Sequence, residues 1–271
     1  MRELLRALAA YCEAPAPAVA DALELPLPTA AEHTELYGFQ LYPYASIYTG
    51  AEGLLGGEAR DRVAGFWRAL GATPPAEPDH LAALLGLSAA LAGEAGTRAR
   101  HARHALLWEH LLSWLPAWLG RLDEVAPSAY AGWGSLLRAA LMAEAEDLGP
   151  PAATPLHLRL APPPGAVEAL LAAVRSGVVL TRADLARAAR EMGLGLRQGE
   201  RRFILDALLA QDAAAVLDWL AREAARQAAV HRAAPPVWRP VMEHWAARAE
   251  ATSARLTRLG REAKEVFVDA G

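Results

Sequence analysis

The chain has 271 residues, 54% of them hydrophobic, and a formal net charge of −4; this supplies a sizeable core and lacks the basic excess of a general nucleic-acid binder. Lys264 is the only lysine, so arginine carries the positive charge as a compositional bias, and Cys12, the single cysteine, excludes an intrachain disulfide or a cysteine-based metal cage. No apolar run approaches the roughly 20 residues that span a bilayer. The first residues, with Glu3 and Glu13 around a short apolar stretch, do not read as a secretory signal, so a soluble cytoplasmic protein is expected.

Ala and Leu dominate while β-branched residues are sparse, which favours helices throughout. Leu4, Leu5, Leu8 and Tyr11 share one face of a helix from Arg2 to about Glu13, which Pro15 and Pro17 end. A second helix is expected over Ala18–Leu25 and a third, capped by Thr29, over Ala30–Phe39. Pro43 and the glycines that follow break the helical pattern, leaving Tyr42, Tyr44 and Tyr48 in an irregular segment rich in exposed aromatics. Helix resumes near Glu58, with Val63, Phe66, Trp67 and Leu70 spaced for one buried stripe. The next helix spans Asp79 to about Ala92, with proline and two carboxylates suitably placed at its start.

Thr97–Leu119 reads as one long helix carrying Trp108, Trp114 and Trp118, and another runs from Pro127 or Ser128 through Glu146. Two proline-rich stretches then interrupt the chain, the second ending at Gly165. Beyond them Thr181 and Asp184 form a capping-box variant opening a helix through Met192, a glycine-rich turn follows, and Glu200–Leu209 is the second arm of a hairpin. Ala213–Val230 is helical, and a last helix from about Val237 to Val268 has few large apolar residues, so weak packing or a partner contact is expected of it. The expected fold is an all-α helical bundle over residues 1–149, a Pro-rich linker at 150–165, and a C-terminal helical extension at 166–271.

Chemistry is sparse in this pattern. His101, His104 and His110 lie on one helix, with Glu94 or Glu109 as further ligands, but no metal-binding spacing supports them and a solvated helix face is the simpler reading. Gly193, Gly195 and Gly199 follow a helix where a phosphate loop would need a strand. Arg182, Arg187, Arg190, Arg197, Arg201 and Arg202 make that hairpin basic, which leaves a helix-turn-helix DNA reader as an alternative. No nucleophile elbow or triad spacing appears, so no enzyme and no cofactor is expected. One constellation stands out: Glu77-Pro78-Asp79-His80 together with the Tyr44–Tyr48 segment. It fits either a site for a basic-plus-apolar peptide, met by charge-assisted bonds and aromatics, or an ordinary helix cap beside a structural loop.

Three segments occur in an order that resembles the TorD/DmsD (NarJ-like) redox-enzyme maturation chaperones. They are Glu35-Leu36-Tyr37 followed by Leu41-Tyr42-Pro43-Tyr44-Ala45-Ser46-Ile47-Tyr48, then Glu77-Pro78-Asp79-His80-Leu81, then Leu107-Trp108-Glu109-His110-Leu111-Leu112-Ser113-Trp114. The likeness covers roughly Arg2 to Leu148; Arg103 stands where the family often has glutamine, and the acidic doublet before the histidine is reduced to Asp79. The resemblance implies a TorD-like bundle and a cytoplasmic chaperone for the precursor of a molybdopterin-dependent (molybdenum or tungsten) oxidoreductase subunit, bound through its twin-arginine leader or as apo-protein. It implies no nucleic-acid partner, no membrane insertion, and a monomer or a domain-swapped homodimer hinged at the Pro-rich linker. It points to Tyr44, Ser46, Tyr48, Glu77, Pro78, Asp79 and His80 as the peptide-binding residues. In that scheme Glu77 and Asp79 take the leader's arginines, Tyr44 and Tyr48 its apolar stretch, and His80 orients the loop or serves as a structural cap.

Overall fold

The computed structural model describes residues 1–163, 165 and 167–269. These form an all-α assembly with no strand among the described residues; the one β pairing is an isolated antiparallel bridge between Tyr44 and His80. Helix α1 spans Arg2–Glu13, α2 Pro17–Ala22, α3 Ala30–Thr34, α4 Ala45–Thr49, α5 Gly57–Ala69 and α6 Leu81–Ala92. The next three are α7 Thr97–Ala105, α8 Leu115–Val125 and α9 Ala131–Leu148. After them come α10 Leu156–Leu160, α11 Ala173–Ser176, α12 Arg182–Met192, α13 Arg201–Leu209, α14 Ala213–Arg232 and α15 Arg239–Asp269.

Local chemistry accounts for most of these boundaries. Thr29 and Glu32 satisfy each other across the start of α3, and Thr181 and Asp184 do the same for α12. The helix expected over Ala30–Phe39 loosens after Thr34 into a π turn at Glu35–Gln40. The long helix expected over Thr97–Leu119 is broken: α7 passes into a π turn at Leu106–Leu111, and α8 starts only at Leu115. Pro116 is the cause, because it has no N–H for the carbonyl four residues back and its ring would strike that carbonyl. Nor is Tyr42–Tyr48 wholly irregular, since Ala45–Thr49 makes a short helix and Tyr48 is buried.

Two apolar cores result. The first gathers α1, α4, α6, α8 and α9 around Trp108, Trp114, Trp118, Trp133, Tyr11 and Tyr130, all fully buried. Trp118 packs edge-on against both Trp114 and Trp133, at 6.3 and 6.2 Å between ring centres. The second core holds Leu185, Ile204, Leu205, Leu208, Val216 and Leu220 of α12 to α14. Helix α15 runs through both, giving Val241, Met242 and Trp245 to the first and Ala249 and Leu256 to the second. The expectation that it packs weakly is therefore corrected. Its alanines allow close approach in place of large side chains, and the Trp245 indole donates to the Ser113 carbonyl at 3.0 Å. The pairs Arg232–Glu250 and Lys264–Asp218 show that α14 and α15 run antiparallel. In the Pro-rich segment Leu158 is fully buried, and the Thr154 hydroxyl donates to the Pro240 carbonyl at 3.1 Å.

A buried ionic cluster ties α8 to α12 and α14. Arg121, with a side chain only 3% exposed, meets Asp184 at 2.6 Å and also pairs with Glu124. Arg187 bridges Asp184 and Glu223, and Arg226 bridges Glu223 and Glu124. Three guanidinium groups thus face three carboxylates, so the buried charge is balanced.

Candidate functional site

The bridge between Tyr44 and His80 brings two helix starts together. The Ala45 amide donates to the Asp79 carbonyl at 3.0 Å, and the Leu81 amide donates to the Pro43 carbonyl at 2.7 Å. Helices α4 and α6 therefore begin side by side. The His80 ring caps its own helix, its Nδ1 accepting from the Ala82 amide at 3.1 Å. Asp79 caps the neighbouring one: its Oδ2 accepts from the Ser46 amide at 3.0 Å, the second residue of α4. The sequence assigned both carboxylates to the start of α6, whereas the backbone bridge turns this one toward α4.

The seven expected site residues thus divide into two groups. Ser46, Tyr48, Pro78 and Asp79 are buried, Asp79 to 1% exposure. The Ser46 hydroxyl accepts from the Gly56 amide at 3.1 Å and so fixes the loop behind α4. Tyr48 stacks on Trp114 at 5.1 Å between ring centres and donates its hydroxyl to the Tyr42 carbonyl at 2.9 Å. In this conformation neither Asp79 nor Tyr48 reaches solvent, so both act through the shape they impose. Glu77 is exposed, and Tyr44 and His80 are half-buried. The Tyr44 hydroxyl donates to Glu77 Oε2 at 2.9 Å, and its ring stands edge-on to His80 at 4.9 Å. Burial, with the Glu77 hydrogen bond second, pushes the Tyr44 phenol up to about 12. Burial also holds the His80 imidazole below its ordinary value, against the pull of Glu77, Glu13 and Asp79.

These three side chains form one end of a groove of about 750 Å³. Glu13 at the end of α1 joins Glu77 there, making that end acidic. The floor is the outer face of α6, where Ala83, Gly86 and Ala90 recur at helical spacing beside Leu87, and Trp67 of α5 forms the wall. Trp67, Leu87 and Ala90 also line an adjoining recess of about 470 Å³ that continues past Leu70 and Leu91 to Glu94 and Arg98. The sequence reading missed this floor, because small apolar residues in an apolar helix look like core. It missed Glu13 because nothing local links that residue to Glu77.

The other candidates are dispersed. His101 is exposed, His104 approaches the Pro150 carbonyl at 3.3 Å, and His110 is buried against Phe66. Among the described residues no three His, Cys, Asp or Glu side chains are placed to hold a metal ion. Of the hairpin arginines, Arg182 lies over the Phe39 ring, Arg187 belongs to the ionic cluster, and Arg201 donates to the Leu180 carbonyl. The segment between α12 and α13 is longer than the tight turn of a helix-turn-helix.

Residues 1–119 match the model of a family described as nitrate reductase delta subunit. This part, 119 of the 271 residues, is similar to that family. The nitrate reductase delta subunit family is one of molybdoenzyme assembly chaperones, in agreement with the NarJ-like resemblance of the three motifs. No curated protein and no solved structure matches the chain. The match includes every residue named at the groove and ends within α8, before α9 to α15. No helix among the described residues is long and apolar enough to cross a membrane.

Proposed function

We propose that this chain is a cytoplasmic chaperone that holds the precursor of a molybdenum or tungsten oxidoreductase subunit, taking its twin-arginine leader in the groove along α6 and doing no covalent chemistry. The observation that carries this reading is a preformed groove, acidic at one end and apolar along its length, made from residues that match a family of molybdoenzyme assembly chaperones. A leader of two arginines followed by an apolar stretch is complementary to it. Glu77 and Glu13 meet the guanidinium groups, while Trp67, Leu87 and the small face of α6 receive the apolar part. Tyr44 and His80 shape the mouth; Ser46, Tyr48, Pro78 and Asp79 hold the mouth in place. The 12 residues of α6 are about 18 Å long, room for five or six residues of extended peptide. We assign this holding function to residues 1–149 and regard 166–271 as an extension fastened onto them across the 150–165 segment.

Calorimetric titration with a twin-arginine leader peptide tests the assignment. Glu77→Gln, and replacement of both peptide arginines by alanine, should each weaken binding about tenfold, or roughly 1.4 kcal/mol. Gly86→Leu is the complementary test, because a Cβ at Gly86 meets no atom within 4 Å and a side chain there projects into the groove. It should block the leader while leaving thermal stability unchanged or slightly raised. Full binding by Gly86→Leu would exclude this groove.

A further inference from the structure

A second cavity, which shares no lining residue with the α6 groove, lies between α4, α5, α10 and α11. It holds about 500 Å³ and is lined by Thr49, Arg62, Glu109, Leu156, His157 and Leu160, among others. Across Gly50, Ala51, Glu58 and Ala59 it joins a recess of about 480 Å³ walled by Leu54 and Leu55. The rim is unusually apolar for a surface: Leu160, Leu54 and Leu55, at 71%, 68% and 60%, are the most exposed large apolar side chains among the described residues.

The floor is polar and under-satisfied. The Arg62 Nη2 donates to Thr49 Oγ1 at 3.0 Å, while its Nε is buried without an acceptor. Among the described residues Arg62 makes no hydrogen bond or ion pair with a carboxylate. The His157 side chain is only 9% exposed; its Nδ1 faces Glu109 Oε2 at 3.6 Å, and its Nε2 is buried without a partner. Burial holds both groups below their ordinary pKa values, against the pull of nearby carboxylates. A half-buried guanidinium beside an imidazole whose Nε2 has no partner stabilises an anion that reaches it, and a guanidinium fits the two oxygens of a carboxylate or phosphate. Glu58 is exposed and well solvated, and Glu109 is turned to His157, so neither occupies that position.

We propose that the joined recesses bind a small amphiphilic anion, its carboxylate or phosphate monoester on Arg62 and His157 and its apolar body against Leu160, Leu156 and Leu55. The volume lies in the range of small-molecule sites. Thr49, Arg62 and Glu109 come from the family-matched part, whereas Leu156 to Pro162 and Val174 lie outside it, so the site belongs to this chain as a whole.

Calorimetry of the full chain with octanoate, octyl phosphate and inorganic phosphate tests it. At least one amphiphile should bind, with inorganic phosphate at least tenfold weaker than octyl phosphate; comparing the two amphiphiles distinguishes the head groups. Arg62→Gln should weaken binding tenfold or more, and so should Leu160→Glu, an exposed position where the fold tolerates change. Thermal melts establish that the variants are folded, and Leu160→Glu decides the matter if Arg62→Gln is not. The proposal is overturned if neither amphiphile binds at millimolar concentration, or if binding survives either substitution in a folded variant. It is also overturned if Ac-Leu-Leu-Glu-Leu-Leu-NH2 binds where both amphiphiles do not, which would make the site a peptide dock.

Discussion

Asp79→Ala separates a scaffold residue from a contact residue at the groove. The carboxylate is 1% exposed and accepts from the Ser46 amide at 3.0 Å, and Ser46 itself is fully buried. Removing it leaves a buried N–H without a partner, a loss of about 1–3 kcal/mol, which overlaps the ~1–2 kcal/mol of a lost helix cap. The two describe the same bond, so about 2 kcal/mol is the expected destabilisation. For 271 residues at about 2.1 cal/mol/K each, the unfolding entropy is ~0.57 kcal/mol/K, so the melting temperature should fall by about 3–4 °C. Asp79→Asn keeps an accepting oxygen and should lose about half as much. Glu77→Gln, at an exposed position, should change stability by less than about 0.5 kcal/mol. Urea unfolding read by circular dichroism gives all three values, and leader titration on the same samples shows which residue the ligand touches. An Asp79→Ala protein with unchanged stability and abolished leader binding would refute the capping argument, since the carboxylate would then be serving the ligand.

Removing Arg121 leaves the buried cluster one positive charge short, with Asp184 left to pair with Arg187, so Arg121→Ala should destabilise by about 3 kcal/mol, and a double-mutant cycle with Asp184→Ala should show strong coupling; additive effects would contradict the cluster. Gly177 has φ +69°, and a Cβ there would lie 2.3 Å from the Ala249 amide nitrogen, so Gly177→Ala should cost well over 1 kcal/mol in urea unfolding, and a neutral result would deny the close approach of α15. Burial holds the imidazoles of His110, His231 and His244 at about 4, below the ordinary 6.5. The unfolded chain therefore takes up protons first on acidification, and stability should be full above about pH 6.5 and fall progressively towards pH 4. His231→Gln, whose amide can still donate to the Gly177 carbonyl, should reduce the drop in urea midpoint between about pH 7 and about pH 4.5, and an unchanged drop would remove His231 from the account.

Legibility in the sequence followed the range of the forces involved. Helices α1 and α12 were readable because a 3.6-residue stripe and a capping box act within a few residues. The break before α8 was also written locally, in Pro116, but the leucine and tryptophan stripe on either side conceals it. Helix α15 misled because burial there depends on what its alanines approach, not on their size. At the groove, the bridge joins Tyr44 to His80, so the two motif segments that the sequence suggested together do lie side by side. Which of them face solvent was not readable, because the same bridge sends the Asp79 carboxylate to another helix and leaves Glu77 outside.

The C-terminal helices bear on the groove from behind. The Ala183 amide at the start of α12 donates to Gln40 Oε1 at 2.9 Å, Arg182 covers the Phe39 ring, and Arg201 lies over the Tyr42 ring. All three contacts fall on the segment that leads directly into Pro43 and Tyr44, where the groove's mouth begins. A disordered leader loses conformational entropy when it binds, so any freedom left in the mouth would subtract further from a moderate affinity. Helices α12 and α13 brace this segment through residues outside the groove, and the ionic cluster around Arg121 ties α12 to α8. Gln40→Ala, which removes one brace at a distance from the groove, should therefore weaken leader binding modestly, by about two- to fivefold, with little loss of global stability. Identical titration curves for Gln40→Ala and the unaltered chain would mean that the mouth is rigid on the strength of Asp79 and the backbone bridge alone.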